Sequence, residues 1–491
     1  MIAELREIDP KVGVWLAVLC GLTLGAFAYA IMDPTALIGY DFQAFWCGAN
    51  ALLAHANPYL NEPLHACEVA HTSALFLRYP NVTVPAPIPP YALALFVPLG
   101  LLPFALARAI WWLALAGATI AAGRGIHKVT GIAPITALAA SALAIAGPAI
   151  VQGALSPLPI ALTIFAALAL MRARWTLATV LLGLGMAEPH MVLPACIAVF
   201  LFVPQMRLRL LLVGVGAAAL ALAAVGPHAA LGYLTTVLPA HAISEVNNQG
   251  QSSLTVVLYQ LGVAAKTALH IASAQYVVLG VFGIWVAGRL SKQRGEVAWL
   301  VLVPAGFAVI GGPFIHLDEV AMAVPLACMI FARRATVPAA LVVLLLAIPS
   351  EAVINWVVLA APATLICAWF MARSKAHPPL LLSARLPVIM AVSIAIIGGE
   401  IAIGLHRVAS AGGTTAVALA GRHIVAAAPG ALASVTWTAF NSLTTTLPST
   451  WWLGKILTLV PAAVLVGLTF LEAFPHGSRV APRLAAARKG A

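Results

Sequence analysis

The sequence predicts an all-α, polytopic integral membrane protein, and three observations carry that prediction. Of its 491 residues, 62% are hydrophobic and only 8% charged, whereas a soluble domain carries roughly 25% charged residues. Apolar runs long enough to cross the hydrocarbon core as helices recur along the whole chain. Lys and Arg gather at alternate ends of these runs: Arg6/Lys11, Arg124/Lys128, Arg172/Arg174, Arg207/Arg209, Lys292/Arg294, Arg333/Arg334, Arg373/Lys375 and the tail "RLAAARKGA". Such clusters mark cytoplasmic ends. The net charge of +11 is therefore a signature of topology, and no nucleic-acid partner is expected. The runs number about 11 to 14, by the length a span requires, with both termini cytoplasmic.

The first run, 14–31, contains an Ala28-Tyr29-Ala30 triplet that resembles a signal-peptidase site. Its length and the many spans that follow favour a retained anchor. The longest polar stretch, 33–90, comes next and faces outward. Within "DFQAFWCGANALLAH", the spacing of Phe42, Phe45, Trp46, Ala49, Leu52 and Leu53 predicts a short helix lying in the membrane interface. "VPAPIPPY" then forces extended backbone before Tyr91 opens the next span. Later outward segments are 152–157, 188–190, 227–253, 313–319, 350–351 and 406–450. The chain divides into a core, 1–340, and C-terminal helices, 341–491. Of six cysteines, Cys20, Cys196, Cys328 and Cys367 fall in apolar runs as packing residues. Cys47 and Cys67 share the first outer loop and could bridge if it faces an oxidising compartment.

The acids sort by side. Asp33, Asp41, Glu62, Glu68, Glu188, Glu245, Asp318, Glu319 and Glu351 fall outside, while Glu4, Glu7, Asp9, Glu296 and Glu472 lie near the inner face and Glu400 sits late in an outward-going span. Acids contribute little to insertion, so this bias points to a function of the outer face. Asp41 admits two compatible readings: an N-cap for a helix starting at Phe42, or a general base held at the membrane surface. Metal-ligand Cys/His spacing, a phosphate-binding glycine loop and a serine nucleophile elbow are all missing from the sequence.

The stretch "YDFQAFWCGANALLAHANPY" resembles the opening outer loop of glycosyltransferase family 87. Further similarities follow in order over roughly residues 10–340: "PIPPYALALFVPLGLLPFALARAIWW", "VQGALSPLPIALTIFAALALMRARWTLATVLLGLGMAEPHMVLP", "NNQGQSSL" and "GGPFIHLDEVAMAVPLA". The resemblance implies a GT-C-type helical bundle that takes a sugar, mannose in some relatives, from a polyprenyl-phosphate carrier. It implies a lipid or glycan hydroxyl as acceptor at the periplasmic face of a bacterial inner membrane, transfer with inversion, and neither cofactor nor metal, although by their chemistry the outer carboxylates could hold a divalent ion. The base role falls on Asp41.

On that reading His316 is a phosphate contact, with Asp318 orienting its imidazole or binding sugar hydroxyls beside Glu319; alternatively "PFIHLDE" is a polar turn capping the next helix. Gln152 belongs to the Gly/Gln loop. In the turn holding Glu188 and His190 the family more often shows Lys-Pro, so Glu188-Pro189 exchanges a cation for an anion. Arg78 could meet phosphate or pair with Glu62 or Glu68. Asn247, Asn248 and Gln251 suit sugar hydroxyls or a solvated loop. Tyr59 and Tyr91 could line the sugar pocket or join the interfacial aromatic belt. Three rivals remain open at this point: a secondary transporter, a non-enzymatic subunit of an envelope-assembly complex, and an O-antigen polymerase or ligase using Arg407, Arg422 and His423.

Overall fold

The computed structural model describes residues 39–71, 79–146, 149, 152–248, 250–347, 424–444 and 452–474. The first apolar run, Arg78, Arg407, Arg422 and His423 lie outside the described residues, as do Cys20 and Cys367. Among the described residues the protein is helical, with only isolated bridges pairing Leu60 with Leu432 and Gln251 with His316.

The first-loop helix, α1 (Tyr40–Leu53), starts earlier than the spacing of its apolar residues suggests. Gly39 is its N-cap at φ 73°, so Asp41 sits in the first turn rather than capping it. A Cβ on Gly39 would stand 2.5 Å from the Trp112 ring. Only glycine fits both that contact and the left-handed backbone. Phe42 is fully buried and stacks on Trp111 at 5.6 Å and Phe104 at 6.0 Å. The Trp46 indole donates to the Leu99 carbonyl at 3.0 Å. This helix is therefore built into the protein, not merely laid on the interface.

A disulfide joins Cys47 of α1 to Cys67 of α2 (Asn61–Ala70), with Cα atoms 5.8 Å apart. Closing a loop of this size removes chain entropy worth about 3 kcal/mol. Gln43 donates to the Glu68 carbonyl at 2.7 Å across the same pair. Glu68 is no surface partner for a cation: it is fully buried and accepts from the Val84 amide at 3.0 Å. Burial pushes its carboxyl well above the usual range.

The bundle follows as α3 (Phe104–Thr130), α4 (Pro134–Ala146), α5 (Pro157–Met171), α6 (Trp175–Gly185), α7 (Pro189–Phe202), α8 (Arg207–Gly232), α9 (Ala265–Arg294), α10 (Trp299–Gly311), α11 (Val324–Arg334) and α12 (Val337–Ala347). Two later helices, α13 (Ser434–Thr444) and α14 (Trp452–Ala473), follow, and short helices at Pro90–Ala94, Val97–Gly100, Leu238–Ser244 and Leu254–Gln260 lie between the longer ones. Among the described residues, three stretches are long and apolar enough to cross a membrane: Phe104–Thr130, Pro204–Asn247 and Ala265–Arg294. Shorter apolar helices fill the spaces between them. Within α8 the backbone leaves helical geometry at Gly226, φ 76°, just before Pro227. A proline removes an intrahelical donor and kinks the axis at such a place.

Helix α10 is apolar all round and buried throughout, with Trp299 and Phe307 at zero exposure, as a central helix must be. Its neighbours include α5, α7 and α9. Leu208, Leu211 and Leu212 of α8 and Val277 and Val281 of α9 are each more than half exposed. An apolar surface of that kind suits lipid, where no water is displaced by leaving it bare.

Chain direction alternates from helix to helix, which sorts the ends of the bundle. Lys128, Arg172, Arg174, Arg207, Arg209, Lys292, Arg294, Arg333 and Arg334 gather at one end; Arg108 and Lys266 are exceptions, near the other. At the basic end Glu472 of α14 takes Arg294 and Arg334 as partners, tying the last described helix to α9 and α11. Arg333 pairs with Glu296.

Candidate active site

At the end opposite the basic cluster lies a cavity of about 520 Å³. Its walls come from the start of α1, the turns before α5 and α7, the region after α8, the turn after α10, and α13. Helix ends meet here because alternating spans return their outer turns to one level.

Five carboxylates line it: Asp41, Glu188, Glu245, Asp318 and Glu319. His190, His241 and His316 are the basic groups, and no Lys or Arg is among the described lining residues. Leu193, Leu234, Leu238 and Phe314 supply an apolar flank.

Asp41 is carried to this wall by packing rather than by its own bonds. The Phe42 ring is wedged beside Trp111, and Gly153 approaches so closely that a Cβ there would lie 2.9 Å from Phe42 Cβ. Gly153 has φ 75°, and its carbonyl accepts from the Trp111 indole at 2.9 Å. Burial and the neighbouring Asp318 carboxylate push the Asp41 carboxyl up to about 8, with His316 partly offsetting them. That value is close to the pH at which a general base works best.

Glu245 is the hub of the other wall. Its Oε1 accepts from the Trp437 indole at 2.5 Å, and its Oε2 accepts from Asn248 at 2.6 Å and pairs with His316 Nε2 at 3.1 Å. His241 Nδ1 stands 3.8 Å away, one helical turn before it. Burial alone would lower His316; the hydrogen bond and charge of Glu245, with Glu319 and Asp318 behind them, push it up to about 10. Glu245 therefore holds this imidazole, where the sequence pointed to Asp318.

Asp318 instead accepts from the Ser156 hydroxyl at 2.6 Å and makes no side-chain cap for the 3₁₀ turn Glu319–Ala323. Burial and the Glu319 charge raise its carboxyl. Glu319 accepts from the His316 amide at 2.9 Å and pairs with His190 Nε2 at 3.0 Å. A short lever of backbone thus fixes His316, Asp318 and Glu319 together.

Of the candidates read from the sequence, Asp41, Tyr91, Gln152, Glu188, His190, Asn248, His316, Asp318 and Glu319 line the cavity. Tyr91 does so with its hydroxyl committed to the Met186 carbonyl at 2.7 Å. Tyr59 lies outside it, buried, donating to the Ile88 carbonyl at 3.0 Å. Gln251 is also buried elsewhere, accepting from Ser253 at 2.9 Å while its segment bridges to His316. Asn247 is half-buried at the end of the 3₁₀ turn Glu245–Asn247 and is not a lining residue.

The sequence reading missed Glu245 as a hub, and it missed His241, Tyr40, Tyr233, Tyr276 and Trp437 as lining residues. His241 and Glu245 carry a findable signal, an i, i+4 pair in an outward segment. Trp437 carries none, because 192 positions separate it from the Glu245 it touches.

Comparison with known proteins agrees with this architecture. Neither the curated proteins nor the solved structures gave a match to the chain. A family model does match, over the segment from the Pro-Pro turn before Tyr91 to the turn after α10; His316, Asp318 and Glu319 lie just beyond its end, and Asp41 lies well before its start. Residues 88–313 match glycosyltransferase family 87, which agrees with the resemblance carried by the sequence motifs.

Proposed function

We propose that this protein moves a sugar from a polyprenyl-phosphate carrier to a hydroxyl of a lipid or glycan at the periplasmic face of a bacterial inner membrane. The observation that carries the reading is the placement of Asp41 and His316 in one cavity with an apolar flank, at the bundle end opposite the basic cluster. Basic ends stay cytoplasmic as a rule, which supports an outward-facing cavity. A disulfide in the same loop fits an oxidising compartment.

Asp41 in its ionised form takes the acceptor proton as the acceptor oxygen attacks the anomeric carbon. The bond from that carbon to the phosphate oxygen breaks, and its electron pair leaves with the carrier phosphate. Attack opposite the leaving group inverts the anomeric centre. His316 donates to the departing phosphate from a position fixed by Glu245 and by the Glu319–His316 backbone contact. Donors aimed at developing charge are worth most in a site of low polarity. Leu193, Leu234 and Leu238 offer the isoprenoid chain an apolar path to lipid.

Envelope profiling of a deletion strain tests this reading. One glycosylated lipid or glycan disappears and its unglycosylated acceptor accumulates. An unchanged set of glycans together with altered uptake of a solute would replace it with transport.

A further inference from the structure

We propose that Glu188, His190 and Glu319 form a divalent-cation site in the wall of the cavity, one that takes Mn²⁺ or Mg²⁺. Their ligand atoms all lie within 4.8 Å of one another. Opposed ligands across an octahedral Mg²⁺-sized ion are about 4.2 Å apart and adjacent ones about 3 Å, so a bound cation draws the three side chains inward.

The three residues come from two separate elements. Glu188 and His190 flank Pro189 at the start of α7, and Glu319 opens the turn after α10. Both sides are braced. Tyr276 donates to the His190 carbonyl at 2.9 Å, and the His316 amide holds Glu319 Oε2 at 2.9 Å, leaving Oε1 for His190 and a cation.

A His–Glu hydrogen bond at 3.0 Å would by itself account for His190 and Glu319. It does not account for Glu188, a half-buried residue whose Oε2 is buried with no hydrogen-bond partner among the described residues. A buried polar oxygen left bare is costly, and a carboxylate oxygen of Glu188 lies within 4.8 Å of the other two ligand atoms.

Charge points the same way. Five carboxylates face three imidazoles, and among the described residues no Lys or Arg lines the cavity. Crowding and burial raise the Asp41 and Asp318 carboxyls, so ionising all five acids together needs a compensating cation. A divalent cation balances the wall and gives phosphate oxygens a partner in the coordination positions the protein leaves open. Carboxylate-rich sites with one imidazole suit Mn²⁺ and Mg²⁺ better than softer metals. The proposed role in phosphate binding rests on the transferase reading, whereas the cation site itself does not. It departs from the metal-free expectation that the family resemblance carries.

Purified full-length protein in detergent is titrated with Mn²⁺, and the free-ion electron paramagnetic resonance signal reports binding. One Mn²⁺ binds per chain and is displaced by excess Mg²⁺. Glu188→Gln and His190→Ala each weaken binding by at least the ~10–100-fold that loss of outer-shell support alone can cause. Glu62→Gln, in the same outer loop region but away from the cavity, leaves it unchanged. Melting curves confirm that each variant is folded, and Glu319→Gln serves in place of either that is not. No bound Mn²⁺, or binding indifferent to these substitutions, overturns the proposal. A chain that binds Mn²⁺ as expected but rejects polyprenyl-phosphate donors keeps the site and loses the transferase reading.

Discussion

Asp41→Asn lowers the rate of sugar transfer by about 10²–10⁴-fold, the range a positioned general base contributes, while the protein stays folded. Asparagine has the shape of the aspartate but cannot accept the acceptor proton. The fold favours the neutral carboxyl, because Asp41 titrates near 8 rather than in the usual carboxylate range. Between the ordinary carboxylate pKa and 8 the ionised form is therefore disfavoured by folding. The amide is neutral at every pH, so the variant melts no lower than the wild type at pH 7. A loss of transfer with an unchanged or raised melting temperature separates chemistry from damage.

The same carboxyl sets the pH dependence. Asp41 faces Tyr40 on its own helix, Glu188 before α7, Glu245 after α8, and His316, Asp318 and Glu319 beyond α10. Its base form appears as pH rises through 8. For enzyme without added divalent cation, kcat/KM accordingly climbs with a midpoint near that value, and a cation bound nearby moves the midpoint to lower pH. Asp41→Asn removes the ascending limb.

Glu245→Gln produces the second large effect, on both stability and rate. The carboxylate accepts from Trp437 and Asn248 and pairs with His316 while almost wholly buried. An amide in its place must turn a donor toward one of those donors. Removing one member of a buried charged set leaves the others uncompensated, at a cost of about 3–5 kcal/mol. The melting temperature falls, and His316 loses the contact that aims it. Trp437→Phe removes one N–H and keeps the stacking on Phe440 at 5.0 Å, so its effect is the smaller of the two. Thermal unfolding and transfer assays on both variants check the order. Wild-type behaviour in Glu245→Gln would remove the hub from the account.

Much of this site was readable because topology forces it. Alternating Lys/Arg clusters, with acids at the opposite ends of the runs, place Asp41, Glu188, Asp318 and Glu319 at one level, and the helices bring that level together. The aromatic spacing of α1 was legible too, but its start was not, since a glycine N-cap leaves no side-chain signature. What failed was choosing among equivalent polar groups. Tyr59 and Tyr91 look alike in sequence; one donates to Ile88 away from the cavity and the other to Met186 at its edge. Long-range partners were invisible for a related reason. Trp437 reaches Glu245 because Asn441 donates to the Ser244 carbonyl at 3.0 Å and Ala433 pairs with Tyr59 at 3.1 Å, contacts that only the packed chain defines.

The central claim, that the sugar arrives on a lipid phosphate, is tested most directly by donor choice. Proteoliposomes holding the purified protein receive one radiolabelled sugar in two forms, linked to polyprenyl phosphate or to a nucleotide, with total envelope lipid as acceptor. Label moves from the polyprenyl-linked form alone, and Asp41→Asn stops it. Transfer from the nucleotide-linked form alone, or equal transfer by the Asp41→Asn variant, would contradict the account.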